Sequence, residues 1–182
     1  MIQKSNDPGL TPKEELRRRA REHVEQGAVT MGYKGDRARI VELLNAALAT
    51  ELVCVLRYKR HYFTAKGILR EGIAEEFQAH AAEEQDHADR IAERITQLGG
   101  EPQMDPKKIA ELAHSEYDAS LSLVDMLKAD LVNERIAIDS YAELIRYVGD
   151  DDPTTKRLLE EILAKEEEHA TDFADLLAKA TG

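Results

Sequence analysis

Apolar residues recur at helical spacing along four long stretches of the chain. In the first stretch, Ile40, Leu44 and Leu48 repeat every four residues, which keeps them on one face of an α-helix. The four stretches cover residues 36–66, 70–98, 118–148 and 153–180. Helices of similar length can bury their apolar faces by packing side by side. The pattern therefore predicts an all-α fold built on a four-helix bundle.

Glycine and proline mark the ends of these helices. Gly67 is predicted to end the first helix and Gly149 the third, while Pro153 begins the fourth. The first two helices and the last two are joined by short links, which predicts two antiparallel hairpins. The link over 99–117 is long enough to return along the bundle, and its segment 106–112 is expected to form a small extra helix.

The first 35 residues are predicted to form an extension, and residues 36–182 to form the bundle domain. Residues 1–10 contain Asn, Asp, Pro and Gly and are interpreted as a flexible lead. Thr11 is expected to cap a short helix that continues to about Gly27.

Candidate metal ligands occur as two copies of Glu-x-x-His in the second and fourth predicted helices. The copies are Glu84 to His87 and Glu166 to His169. Residues three apart share a helix face, so each pair can bind a metal ion from one side. The motif alone is weak, because about 0.7 copies are expected by chance at this content of Glu and His. A third copy begins at Glu111 in the long link.

The register of further acidic residues separates the two copies from the third. Glu51 lies 33 residues before Glu84, and Glu134 lies 32 residues before Glu166, whereas no acid stands at either distance before Glu111. All four carboxylates are near the middle of a predicted helix and therefore at one level of the bundle. A buried carboxylate without a partner costs several kcal/mol. The set indicates either a dimetal site or a proton-sharing polar network, and its oxygen and imidazole ligands suit iron or manganese.

Composition excludes several other classes of protein. The chain carries 36 acidic against 25 basic residues, a net charge of −11, which favours cations over nucleic acid as partners. A single cysteine excludes a disulfide framework and a CxxC rubredoxin-type site, and it favours a reducing, cytoplasmic location. We expect no signal peptide and no membrane span, because no stretch is sufficiently apolar.

These motifs resemble the bacterioferritin branch of the ferritin-like superfamily over residues 36–180. The similar segments are Asn45–Val53, Glu84–Ile95, Leu127–Leu131 with Glu134, and Glu166–His169. The resemblance implies that one iron has Glu51 and His87 as terminal ligands, that the other has Glu134 and His169, and that Glu84 and Glu166 bridge them. It also implies a catalytic role for Tyr58, which would donate a hydrogen bond to a ligand carboxylate or supply an electron. Tyr141 stands in the same relation to Glu134 and is interpreted either as an outer partner of the site or as an ordinary core residue.

The resemblance implies a ferroxidase that oxidises Fe²⁺ to Fe³⁺ with O₂ or H₂O₂ and takes part in iron storage and detoxification under oxidative stress. Two iron ions per subunit are expected, with manganese as the alternative metal. Gln85 stands where haem-binding bacterioferritins carry Met, so no haem is expected. The 13 residues after His169 leave no room for the fifth helix of 24-subunit cages. The small helix in the long link is similar to that of Dps-like shells, which favours a homo-oligomer of twelve subunits over one of twenty-four.

Two other functions stay open at this point. The same site would serve a dimetal peroxidase or manganese catalase without mineral storage. A DNA-protecting shell would bind DNA through the arginines of the Arg17–Arg21 arm, although docking of this arm on a neighbouring subunit is the favoured interpretation. His80, one turn before Glu84, either assists metal uptake or is a satisfied interface histidine. Cys54 is expected to be a small buried hydrophobe.

Overall fold

The computed structural model describes residues 9–66 and 70–182, and the regular elements in these residues are all helical. They are α1 (Lys13–Arg19), a 3₁₀ turn (Val24–Gln26), α2 (Arg37–Thr64), α3 (Arg70–Gln97), α4 (Pro106–Leu112), α5 (Leu123–Val148) and α6 (Pro153–Thr181). Helix α2 packs along α3, α5 packs along α6, and α4 lies against α2. The predicted all-α four-helix bundle, with a short helix in its long crossover, is confirmed. The Gly67 helix end and most of the predicted flexible lead lie outside the described residues.

Helix α5 begins at Leu123, five residues later than its apolar pattern predicts. The backbone N–H of Asp125 donates to the Ser122 side chain over 3.1 Å, which satisfies an amide of the first turn. Asp118, the predicted start, instead accepts a hydrogen bond of 2.9 Å from the backbone N–H of Ser120. The local side-chain bonds therefore hold residues 118–122 outside the helix.

The N-terminal helix is also shorter than predicted. Its N-cap is Pro12 rather than Thr11, without a side-chain hydrogen bond, and α1 ends at Arg19. The chain then makes the 3₁₀ turn and reaches Gly27 at a φ of 59°, which favours glycine. By contrast, α6 begins at Pro153 as predicted, and its N-cap Asp152 accepts from the backbone N–H of Thr155 over 2.9 Å. No helix in the described ranges is both long and apolar enough to cross a membrane.

Two apolar clusters fill the bundle, one on each side of its middle. Members of the first include Leu44, Leu48, Ile91, Ile95, Leu159 and Ile162. Members of the second include Cys54, Tyr58, Phe77, Met126, Leu127 and Phe173. Along α2 the change from one cluster to the other falls between Leu48 and Cys54, and along α6 it falls between Ile162 and Phe173. A polar layer at this level is therefore shielded from water by apolar side chains above and below it.

A buried ionic network ties α2 to α5 and to the crossover. The guanidinium of Arg57 donates to Asp130 over 2.8 Å, and the second carboxylate oxygen of Asp130 lies 2.8 Å from Nδ1 of His61. Arg57 also donates to the backbone carbonyl of Glu116 over 2.7 Å. Because Arg57 and Asp130 are 3% and 0% exposed, the loss of one partner leaves a charge in the interior.

We expect Asp130→Ala to lower the free energy of unfolding by about 3–5 kcal/mol, because it leaves Arg57 buried without its carboxylate. Arg90→Ala is the control, since the pair of Arg90 with Glu161 is partly exposed and is worth less than about 1 kcal/mol. Chemical denaturation of both variants measures the difference. Equal losses in the two variants would contradict this account of the network.

Candidate metal centre

Six side chains converge in the polar layer between the two apolar clusters. They are Glu51 of α2, Glu84 and His87 of α3, Glu134 of α5, and Glu166 and His169 of α6. None of the six is more than 4% exposed. The structure thus brings together all six residues that the duplicated register places at one level.

Their ligand atoms form two overlapping groups of four, and within each group all atoms lie within 4.8 Å of one another. The first group is Glu51, Glu84, His87 and Glu166, and the second is Glu84, Glu134, Glu166 and His169. His87 Nδ1 lies 2.9 Å from Glu166 Oε1 and 3.3 Å from Glu84 Oε2. His169 Nδ1 lies 3.3 Å from the other oxygen of Glu84. Glu84 and Glu166 belong to both groups, so they are placed to face two ions at once.

The unpartnered atoms of the cluster test whether these residues fit a pair of metal ions. Among the described residues, Glu51, Glu84 and Glu134 each have at least one buried oxygen without a hydrogen-bond partner, and Nδ1 of His169 lacks one too. Buried polar atoms of this kind are costly unless a proton, water or cation satisfies them. Four carboxylates balance the charge of two divalent cations, and oxygen with imidazole nitrogen suits iron or manganese. The residues therefore fit a dinuclear metal centre.

Burial and mutual repulsion make the metal-free cluster hold protons. Burial raises the pKa of Glu84 well above its ordinary value, and the charges of Glu166 and Glu51 raise it further. Burial also raises the pKa of Glu134. Burial alone would lower the pKa of His87, but hydrogen bonds to the surrounding carboxylates raise it to about 12. Metal ions must displace these protons, so metal affinity falls as the pH falls.

Glu83 orients one of the two imidazoles, a role that the sequence does not reveal. Its carboxylate lies 2.5 Å from Nε2 of His169, so that ring N–H donates to Glu83 and leaves Nδ1 facing Glu84. Burial would raise the pKa of Glu83, but the hydrogen bond to His169 lowers it. Carboxylates commonly fix metal-binding imidazoles in this way. In the sequence, Glu83 is only one more acid, directly before Glu84, and in a chain with 36 acidic residues its position alone does not indicate this role.

The two tyrosines occupy different surroundings from those that their spacing suggests. Tyr141 donates a hydrogen bond across the bundle to Glu51, rather than to a carboxylate of its own helix. Tyr58 is fully buried beside Phe173 and His80, with ring centroids 5.6 and 6.0 Å away, and its hydroxyl has no hydrogen-bond partner in the described part of the chain. The hydrogen bond to a ligand carboxylate is therefore made by Tyr141.

Two further sequence candidates lie outside the six-residue cluster. Cys54 is buried and accepts a hydrogen bond of 2.9 Å from Asn133, and burial raises the pKa of its thiol well above the ordinary value. Glu111 is exposed, and His114 Nδ1 lies 2.8 Å from the hydroxyl of Ser140. The third Glu-x-x-His copy therefore contributes nothing to the cluster.

Glu134→Gln replaces a carboxylate with a neutral amide of the same shape. Both oxygens of this carboxylate are buried without a hydrogen bond from any described residue. We expect the metal-free variant to be more stable than the wild type by about 1 kcal/mol or more, and metal loading to fall. Since the raised pKa means that folding takes up a proton above about pH 4.5, wild-type stability declines as the pH rises and the advantage of the variant grows.

Scanning calorimetry of metal-free protein at about pH 5 and about pH 8 measures this difference. Glu143→Gln, an exposed change on the same helix, is the control and should shift the unfolding midpoint at neither pH. A destabilised Glu134→Gln variant at the higher pH would contradict the repulsion.

Tyr141→Phe removes the hydroxyl that holds Glu51, and we expect it to weaken metal binding by about 10–100-fold. Tyr58→Phe is the matched control, because the Tyr58 hydroxyl contacts no ligand carboxylate, and it should leave the affinity unchanged. Calorimetric titration with Mn²⁺ measures both variants. Equal affinities in the two variants would show that the Tyr141 hydrogen bond does not support the site.

The sequence and the structure of the chain are both similar to those of known proteins. Residues 41–182 match the ferritin-like domain. A nutrient stress-induced DNA-binding protein of Synechococcus sp. is 36% identical over 144 residues, which cover 78% of this chain and 82% of that protein. A bacterioferritin of Rhodobacter capsulatus is 32% identical over 146 residues, covering 78% of this chain and 83% of the other. The structure of a dodecameric thioferritin, the bacterioferritin-related protein from Bacteroides fragilis, superposes with a TM-score of 0.78 at 38% identity, over 81% of this chain and 89% of that one. The chain therefore belongs to the ferritin-like family, with bacterioferritins and Dps proteins among its relatives.

Proposed function

We propose that the protein is a ferroxidase, which binds two Fe²⁺ ions in the dinuclear centre of each subunit and oxidises them to Fe³⁺. The observation that carries the proposal is the pair of overlapping four-residue groups, buried at mid-bundle and sharing Glu84 and Glu166. In this proposal one ion has Glu51 and His87 as terminal ligands, the other has Glu134 and His169, and the two shared carboxylates bridge. Manganese is the alternative metal.

The chain's own residues would prepare the substrate ions in three ways. Glu84 and Glu134 would release protons as Fe²⁺ binds, and the four carboxylates would then balance the charge of the two Fe²⁺ ions. Tyr141 and Glu83 fix the ligands Glu51 and His169 by hydrogen bonds. The apolar clusters exclude water from the reacting ions. Each Fe²⁺ supplies one electron, and two electrons with two protons reduce O₂ to H₂O₂, or H₂O₂ to two waters.

When only one Fe²⁺ is bound, Tyr58 is proposed to supply the second electron that the oxidant needs, which releases the phenolic proton and leaves a phenoxyl radical, rather than to hold a ligand. It contacts His80, whose ring is stacked on that of His169 with centroids 4.0 Å apart. This contact supports a path from the phenol to the dinuclear centre. Tyr58→Phe would then alter oxidation of Fe²⁺ and not its binding.

A hollow shell of twelve subunits is proposed as the assembled form, with iron stored inside it. The support is the similarity to a thioferritin described as dodecameric. The exclusion of haem, argued from Gln85, stays a prediction. In a shell the acidity of the chain would attract Fe²⁺ toward the subunits.

DNA protection is a second candidate, because relatives from Synechococcus and Pyrococcus furiosus carry names of DNA-binding or DNA-protecting proteins. The arginine arm of this chain supports that function poorly. Arg18 pairs with Glu15 and Glu22, and Arg19 also pairs with Glu15, so nearby acids offset the charge of two of the four arginines in the arm. We therefore propose iron oxidation, and not DNA binding, as the principal function.

Metal-free protein mixed with Fe²⁺ and an oxidant should show a fast ferric absorbance rise that consumes about two Fe²⁺ per subunit. Glu84→Ala and His169→Ala should abolish this fast phase, since each removes a ligand. Glu111→Ala, in the copy of the motif outside the cluster, is the control and should retain it. Stopped-flow absorbance with O₂ and with H₂O₂ measures the phase and identifies the oxidant.

A fast phase with the wild-type amplitude in Glu84→Ala or His169→Ala would contradict the ferroxidase assignment. Light scattering and iron analysis after repeated Fe²⁺ additions address storage. A twelve-subunit particle that retains ferric iron supports storage, whereas rapid H₂O₂ breakdown without retained iron would favour the peroxidase or manganese catalase alternative.

A further inference from the structure

A second group of metal-binding side chains lies between α3 and α6, outside the dinuclear centre. It consists of Glu76, His80 and Asp172, whose ligand atoms lie within 4.8 Å of one another. His80 Nε2 is 3.9 Å from a carboxylate oxygen of Glu76 and 3.9 Å from one of Asp172. These separations are too long for hydrogen bonds. They suit two ligands of one ion, because metal–ligand bonds of about 2.0–2.2 Å allow ligand atoms to stand up to about 4 Å apart.

Within residues 9–66 and 70–182, the ring of His80 is buried and makes no hydrogen bond. Only 3% of the residue is exposed, and its Nδ1 is buried without a partner among these residues. Nε2 faces the carboxylates of Glu76 and Asp172, but neither is close enough to bond it. The expectation of a satisfied interface histidine concerns contacts with a neighbouring subunit and stays a prediction. A cation bound at Nε2 would give this nitrogen a partner and would join the two carboxylates through one ion.

The group lies between solvent and the His169 side of the dinuclear centre. The Glu76 and Asp172 side chains are 46% and 48% exposed, so a hydrated ion can reach them. On the inner side, the ring of His80 is stacked on that of His169, with centroids 4.0 Å apart and planes 18° apart. The ammonium group of Lys165, which is close to this group of ligands, lies 2.6 Å from the carboxylate of Glu168. Lys165 is therefore paired with an acid outside the group.

We propose that Glu76, His80 and Asp172 form a third, mononuclear site for a divalent cation, where Fe²⁺ waits before it enters the dinuclear centre. One imidazole with two carboxylates suits Fe²⁺, Mn²⁺ or Zn²⁺, and water would complete the coordination. Cation binding at this site is independent of ferroxidase activity, whereas the waiting role rests on the proposed function.

Anomalous diffraction from Zn²⁺-loaded crystals of the assembled protein tests the site directly. A peak should lie about 2.0–2.2 Å from His80 Nε2 and from oxygens of Glu76 and Asp172. Asp172→Asn should abolish it. Asp175→Asn, which changes an exposed acid of the same helix, should leave it in place. Glu84→Gln, which changes the dinuclear centre, should also leave it in place.

No peak in the wild type, or a peak of full height in Asp172→Asn, would overturn the site. Stopped-flow oxidation tests the waiting role: Asp172→Asn should raise the Fe²⁺ concentration at half-maximal rate by about tenfold, and Asp175→Asn should not. An unchanged value in Asp172→Asn would overturn that role. A wild type that shows the third peak but does not oxidise Fe²⁺ would reject the proposed ferroxidase while the cation site stands.

Discussion

Repulsion among four buried carboxylates is the constraint on which the rest of the structure depends. Glu51, Glu84, Glu134 and Glu166 lie together in a layer closed by apolar clusters on both sides. The layer cannot relax by moving toward water, because the packing of Leu48 above and Tyr58 below holds α2 in position. Protons or cations must therefore offset the charge. In the proposed function, the bundle is less stable without metal and gains stability when metal ions bind the layer, so that the free energy of folding and the metal affinity are linked.

The sequence predicted this layer because its spacing repeats. A helix fixes the height of each residue by its number. Glu51 is separated from Glu84 by nearly as many residues as Glu134 is from Glu166, and each lies near the middle of its helix, so the two hairpins can place all four at one level. Contacts across the bundle do not follow from spacing. Tyr141 is seven residues after Glu134, yet its hydroxyl reaches Glu51 on another helix. That pairing depends on how α2 and α5 pack, which the apolar pattern of each helix does not specify.

The start of α5 and the buried ion pair of Arg57 with Asp130 were not predicted, for a similar reason. Asp118 begins the apolar pattern of α5, but its bonds to Ser120 compete with the helix and the cap falls on Ser122. Asp130 reads as an ordinary polar position in that helix. Its importance comes from Arg57, 73 residues earlier in the chain, whose guanidinium it neutralises in the interior. The helix propensity of the local sequence predicts neither effect, because each depends on which of several possible hydrogen-bond partners a side chain binds.

The ligand set is duplicated, but its support is not. On the side of Glu51, the holding group is Tyr141, a neutral phenol that is 2% exposed. On the side of His169, the holding group is Glu83, an ionisable side chain that is 43% exposed. One half of the centre is therefore closed by buried packing, while the other is linked through a carboxylate to solvent. On the α3–α6 side, a cation approaching from water meets the half-exposed carboxylate of Glu83 beside His169. In the proposed function, the asymmetry of the supporting residues therefore gives a nearly symmetric site a preferred side for metal loading.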